Sequence, residues 1–142
     1  MNKNLTAALI LTAAAAGTAA LAAAKTDTKP GAMMAESGYQ VYTKAAFDAA
    51  VSEKRVLFFH ATWCPNCKQA DADINANLKD LPKDIVIFKT DYDKEVALKK
   101  QYGITYQHTF VLVDDKGTAI RKWAGGGLKQ IVANAEKASA GQ

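Results

Sequence analysis

The chain has 142 residues, 49% of them hydrophobic and 23% charged, with a formal net charge of +4. These proportions fit one soluble globular domain and exclude a wholly disordered chain, a collagen-like chain and a multi-span membrane protein. The excess of positive charge is mild and the signs are interspersed, which gives no argument for nucleic acid as a partner.

After Lys3 no charged residue follows until Lys25, and eleven of the residues from 5 to 24 are alanine. The stretch closes on Ala22-Ala23-Ala24, the small-residue exit read by signal peptidase, so residues 1–24 are expected to be a cleaved secretory signal peptide. The protein is then periplasmic or secreted. The alternative is an uncleaved anchor in the inner membrane, since about twenty apolar residues just span a bilayer, although so much alanine makes a weakly hydrophobic span. Residues 25–38 contain Pro30, Gly31 and Gly38 and no apolar period, and they read as a flexible leader. Residues 39–142 remain as the folded domain.

Within that domain, Tyr39 to Tyr42 suits a short edge strand, and Thr43 suits the N-cap of a helix with Phe47, Ala50 and Val51 inward. Arg55 to Ala61 is a nearly continuous apolar run, as expected of a strand covered on both faces. A helix then starts after Cys64, with Ile74, Leu78 and Leu81 at helical spacing and Pro82 as a stop. Asp84 to Thr90 is a second central strand. Asp93 is placed to cap a helix that ends at Tyr102 with Gly103 as its exit. Thr109 to Asp114 and Thr118 to Ala124 flank the turn Asp115-Lys116-Gly117 as a hairpin. After Gly125-Gly126-Gly127, a last helix turns Leu128, Ile131, Val132 and Ala135 inward. The pattern is β-α-β-α-β-α-β-β-α, an α/β domain with a mixed sheet and helices on both faces.

Cys64 and Cys67 are the only cysteines. An exported chain that used cysteine as scaffolding would carry more of them, spread along its length, and a bridge over so short a loop adds little stability. Chemistry is the better reason for the pair. It stands where a buried strand ends and a helix begins, so Cys64 sits at the helix N-terminus, where backbone N–H groups and the macrodipole stabilise a thiolate. Cys67 lies one turn inward and is shielded. That asymmetry makes Cys64 the attacking thiol and Cys67 the resolving one. Pro65 suits the first helical turn, which has no use for its missing N–H. Asn66 completes the motif, and Trp63 is expected to shelter the thiol with an apolar wall.

Ala61-Thr62-Trp63-Cys64-Pro65-Asn66-Cys67-Lys68, followed by Val86 to Asp91, Tyr102-Gly103-Ile104, Thr109-Phe110-Val111 and the late glycine run, resembles the thioredoxin superfamily over about residues 39–138. The resemblance implies the thioredoxin-like fold and dithiol–disulfide exchange at Cys64 and Cys67 without a cofactor. Its partners would be protein thiols and disulfides, with a membrane electron donor or acceptor as the further source or sink of electrons. Lys89 matches a family lysine lying under the active site, where its ammonium tunes the cysteines; the alternative is a solvated lysine at a strand end.

Two positions depart from the family. A carboxylate usually buried in the strand before the motif is replaced by Phe58, so the inner thiol must exchange its proton with water or another group. His60 can serve if its side chain turns toward the site; otherwise it is a strand-end histidine that meets its hydrogen bonds in the rim. The family's cis-proline is replaced by His108, and a cis bond there would cost about 2.5–4 kcal/mol, so Gln107–His108 is expected to be trans. His108 facing two cysteines has two readings. In one it tunes the Cys64 thiolate, and His108→Pro is then expected to preserve or improve exchange. In the other, Cys64, Cys67 and His108 hold zinc, copper or an iron–sulfur cluster. Asp91, Asp93, Asp114 and Asp115 read as solvated loop carboxylates, and Trp123 as packing.

Overall fold

The computed structural model describes residues 38–140. The expected signal peptide and nearly all of the leader lie outside them. Five strands form one sheet, β1 (Tyr39–Val41), β2 (Lys54–His60), β3 (Ile85–Asp91), β4 (Thr109–Val113) and β5 (Ala119–Ala124), in the order β1-β3-β2-β4-β5. β1 and β2 run parallel to β3, whereas β4 is antiparallel to both β2 and β5. Four helices accompany them: α1 (Lys44–Ala49), α2 (Pro65–Ala76), α3 (Val96–Tyr102) and α4 (Leu128–Ser139). The α/β reading with a mixed sheet holds.

Strand side chains alternate between the two faces of a sheet. Val56 and Phe58 of β2, Ile85 and Ile87 of β3 and Phe110 and Leu112 of β4 pack with Cys67, Ala70 and Ile74 of α2 and Ile131 of α4. Leu57, Phe59, Phe88, Val111 and Val113 form the opposite core with Phe47, Tyr102 and Ile104. Both faces of β2 are therefore covered, as its apolar run implied. At the far end of β2, Arg55 is buried with its guanidinium 4.2 Å over the Phe47 ring. It donates to the carbonyls of Phe47 and Asp114, which ties α1 and the β4 exit to the central strand.

Several local readings are met. Thr43 caps α1 through the Ala46 amide, Gly103 closes α3 in the left-handed conformation (φ 60°), and Trp123 stacks on Phe110 at 5.5 Å. Others are corrected. α1 stops at Ala49, which leaves Val51 half exposed. α2 stops at Ala76, because the Asn77 side chain and amide turn back on Asp73, and Leu78 falls in a short 3-10 turn. Asp93 does not cap α3: Asp91 Oδ1 accepts the amides of Asp93 and Lys94, a carboxylate-built turn that delays the helix to Val96.

α4 has Gly127 at its N-cap, which offers no side chain to cap it. Its Leu128 amide is instead taken by Asp73 Oδ2 of α2 at 2.7 Å, so the helix carrying the cysteines caps the last helix across 55 positions of chain. A Cβ at Gly127 would fall 1.9 Å from that oxygen. Asp73→Ala is expected to cost about 0.5–2 kcal/mol in thermal melts, the range for a lost cap. Gly127→Ala destabilises the wild type and does so much less in the Asp73→Ala background; equal effects in both would contradict the contact.

Candidate active site

β2 ends at His60, and the chain crosses Ala61-Thr62-Trp63 before α2 starts at Pro65. The Cys64 amide bonds the Ala61 carbonyl at 3.2 Å, which folds the link back on the strand end. Cys64 is the N-cap of α2, with extended backbone, and its Sγ accepts the Cys67 amide at 3.2 Å. A sulfur thus fills the role usually given to Ser, Thr, Asp or Asn.

Both cysteines are free thiols and both are buried, Cys64 to 4% exposure and Cys67 to 0%. Burial, reinforced by the neighbouring Cys64 sulfur and opposed by the amides of Ala61 and His108, pushes the Cys67 thiol up to about 11. Cys67 therefore holds its proton at neutral pH. Pro65 and Asn66 are exposed at the first turn. Trp63 is 57% exposed rather than a closed wall over the thiol, because its indole N–H is held outward by Asp93 Oδ2 at 3.0 Å. Its ring meets Tyr92 edge-on, and the Tyr92 hydroxyl donates to the Thr105 carbonyl. Asp93 and Tyr92 were missed as site-shaping residues, since their partners are far along the chain.

His108 opposes the pair on the loop into β4. Among the described residues no peptide bond is cis, so Gln107–His108 is trans as expected, and His108 alone among non-glycine residues has positive φ, 64°. Its amide donates to the Phe59 carbonyl and its carbonyl accepts from Gly125. Burial lowers its imidazole below the ordinary histidine value, opposed by a hydrogen bond to the Gly126 backbone. The side chain is thus engaged with the glycine run. Among the described residues no three His, Cys, Asp or Glu side chains stand together as a group able to hold a metal ion.

Lys89 is half-buried and paired with Asp71 Oδ2 at 2.7 Å, so it is not simply solvated. Asp71 lies one turn beyond Cys67 on α2, and its Oδ1 accepts the Tyr39 hydroxyl. Burial alone would raise the Asp71 carboxyl, but hydrogen bonds from Lys89 and Tyr39 hold it below the usual carboxylate range. The position four residues after Cys67 was the available sequence signal, as it repeats the inward-facing side of the helix. His60 is 7% exposed, and its Nε2 is buried with no hydrogen-bond partner among the described residues, which sets aside the satisfied rim histidine.

The His108 backbone overturns one expectation. Proline fixes φ near −65° and carries no N–H, whereas this position needs φ 64° and uses its amide. His108→Pro is expected to lose more than about 1 kcal/mol of stability, while His108→Gly is neutral or gains roughly 1 kcal/mol by removing left-handed strain. Urea melts of the two variants check the order, and a proline variant as stable as the wild type would contradict the geometry.

Residues 38–137 match the family model described as Thioredoxin. The chain is 32% identical over 82 residues to thioredoxin H3 of Arabidopsis thaliana, covering 58% of this chain and 68% of that protein. It is 28% identical over 98 residues to thioredoxin H4 of the same plant, covering 68% and 82%. The solved structure of Plasmodium falciparum thioredoxin superposes with a TM-score of 0.56 at 26% identity, covering 70% of this chain and 97% of that one.

Proposed function

The chain belongs to the thioredoxin family, and from that premise we propose that it is an exported thiol–disulfide oxidoreductase whose Cys64–Cys67 pair exchanges with protein thiols and disulfides in the periplasm or outside the cell. The observation that carries the site assignment is the unequal placing of the two sulfurs. Cys64 Sγ caps α2 and accepts an amide, while Cys67 is fully enclosed and keeps its proton. In the reducing direction, the Cys64 thiolate attacks one sulfur of a partner disulfide, and the other partner sulfur leaves as a thiolate. Cys67 then attacks Cys64, the second partner sulfur leaves, and the pair has given up two electrons and become a disulfide. The oxidising direction is the same sequence reversed.

The shape around the pair supports a protein partner. Trp63 stands out beside Cys64, and Tyr106 in the loop before His108 is also exposed. The exchange itself needs no metal. Export rests on the uncharged, alanine-rich stretch and its small-residue exit, with a membrane electron donor or acceptor completing the circuit.

Cys67→Ser is expected to accumulate a mixed disulfide with partner proteins through Cys64, and Cys64→Ser to lose both the adduct and insulin-reducing activity. Protein isolated from the periplasm should begin at Lys25 and, once air-oxidised, weigh two hydrogens less than the dithiol. Retention of residues 1–24, or a zinc, copper or iron–sulfur adduct lost in His108→Ala, would overturn the location or the metal-free exchange, respectively.

A further inference from the structure

We propose that His60 receives the proton that Cys67 must lose before it attacks Cys64, an inference that rests on the exchange reaction above. Cys67 has no exposed surface, and a thiol must become a thiolate to act as a nucleophile. The acceptor therefore belongs to the protein interior. On the sheet face covered by α2, alternation places His60 two positions after Phe58, in the same orientation, and the two rings meet edge-on at 5.5 Å. The next residue, Ala61, turns its amide to the Cys67 sulfur and its carbonyl to the Cys64 amide. The end of β2 thus sets His60 one residue from groups touching both cysteines.

The neighbouring polar groups are already committed. Asp71 of α2 accepts from Lys89 with one oxygen and from Tyr39 with the other. Lys89 of β3 is an ammonium and cannot accept a proton. The Tyr39 hydroxyl of β1 is pushed well above its ordinary value by burial and by Asp71. Three buried side-chain nitrogens lack a partner among the described residues, on Arg55, His60 and Trp123. A guanidinium and an indole N–H have no lone pair to offer, so His60 Nε2 is the acceptor among them. No described residue engages Nε2, which leaves that nitrogen available to carry the lone pair of the neutral ring.

The charges around the ring suit the task. Burial, then the Lys89 ammonium, hold His60 below the ordinary histidine value, against the opposing pull of Asp71 and of Asp91 on β3. Held low, the imidazole is in its neutral, accepting form, and the charges of the Asp71 and Asp91 carboxylates favour the imidazolium formed during the step. The proton passes from Cys67 Sγ to His60 Nε2, and the Cys67–Cys64 bond forms. The Cys64–partner bond breaks, and the partner leaves as a thiolate that takes up a proton.

The test is stopped-flow mixing of the reduced mature chain with 5,5′-dithiobis(2-nitrobenzoate). Attack by Cys64 releases one aromatic thiolate, and closure by Cys67 releases the second. In His60→Gln the first release keeps its wild-type rate, and the second slows roughly 100-fold at neutral pH, the scale of a lost general base. The wild-type second phase falls as acid protonates His60, and that inflection disappears in the variant. The difference closes as the pH nears about 11, where Cys67 ionises unaided. His60→Phe, which keeps ring packing, is expected to behave alike and carries the test if the glutamine variant does not fold. Wild-type rates with an unchanged inflection, or equal slowing of both phases, would overturn the role of His60. A wild-type protein that releases no second equivalent would instead overturn the exchange reading itself.

Discussion

The hydrogen bond from the Cys67 amide to the Cys64 sulfur makes one atom both a helix cap and, in the proposed exchange, the attacking group. A hydroxyl or carboxylate would be the stronger cap, so cysteine here exchanges some helix stability for reactivity. Pro65 follows without an N–H to satisfy, and the amide one turn on finds the sulfur as its acceptor. The arrangement depends on β2 ending at His60 with the link folded back through Ala61, and β2 holds its place because both of its faces are buried. The placing of the Cys64 sulfur therefore traces to the packing of the central strand.

The same helix organises the rest of the site. Cys67, Asp71 and Asp73 belong to successive parts of α2. The first is shut in the core, the second gathers Lys89 and Tyr39, and the third caps α4. A chain with Phe58 at the strand position beneath the cysteines carries a carboxylate on the helix, Asp71, and on the strand a buried imidazole whose Nε2 has no hydrogen-bond partner among the described residues. Around the rim, Asp93 holds Trp63 outward, and the His108 backbone closes the loop onto Phe59 and Gly125.

What was legible in the sequence was local. Thr43, Pro65 and Gly103 mark helix ends through their own backbone chemistry, and the apolar run from Val56 to Phe59 states its double burial directly. The cysteine spacing, the strand before it and the strand–helix order that follows it carried the fold. The Asp91 turn was misread because an aspartate can cap a helix or build a turn, and only the backbone decides which. The positive φ of His108 had no signal, since that conformation is rare outside glycine. The Asp71–Lys89–Tyr39 cluster needs the register of β1 on β3, and the Asp73 cap needs the packing of two helices, so neither is written in any window of neighbouring residues.

The unequal standing of the two thiols is tested most directly by brief alkylation of the fully reduced protein with iodoacetamide at pH 7, followed by mass mapping of the cysteine peptide. A single adduct on Cys64, with Cys67 unmodified until the pH approaches about 11 or the chain is unfolded, is the predicted result. Modification of Cys67 first, or of both at matching rates in the folded protein, would contradict it.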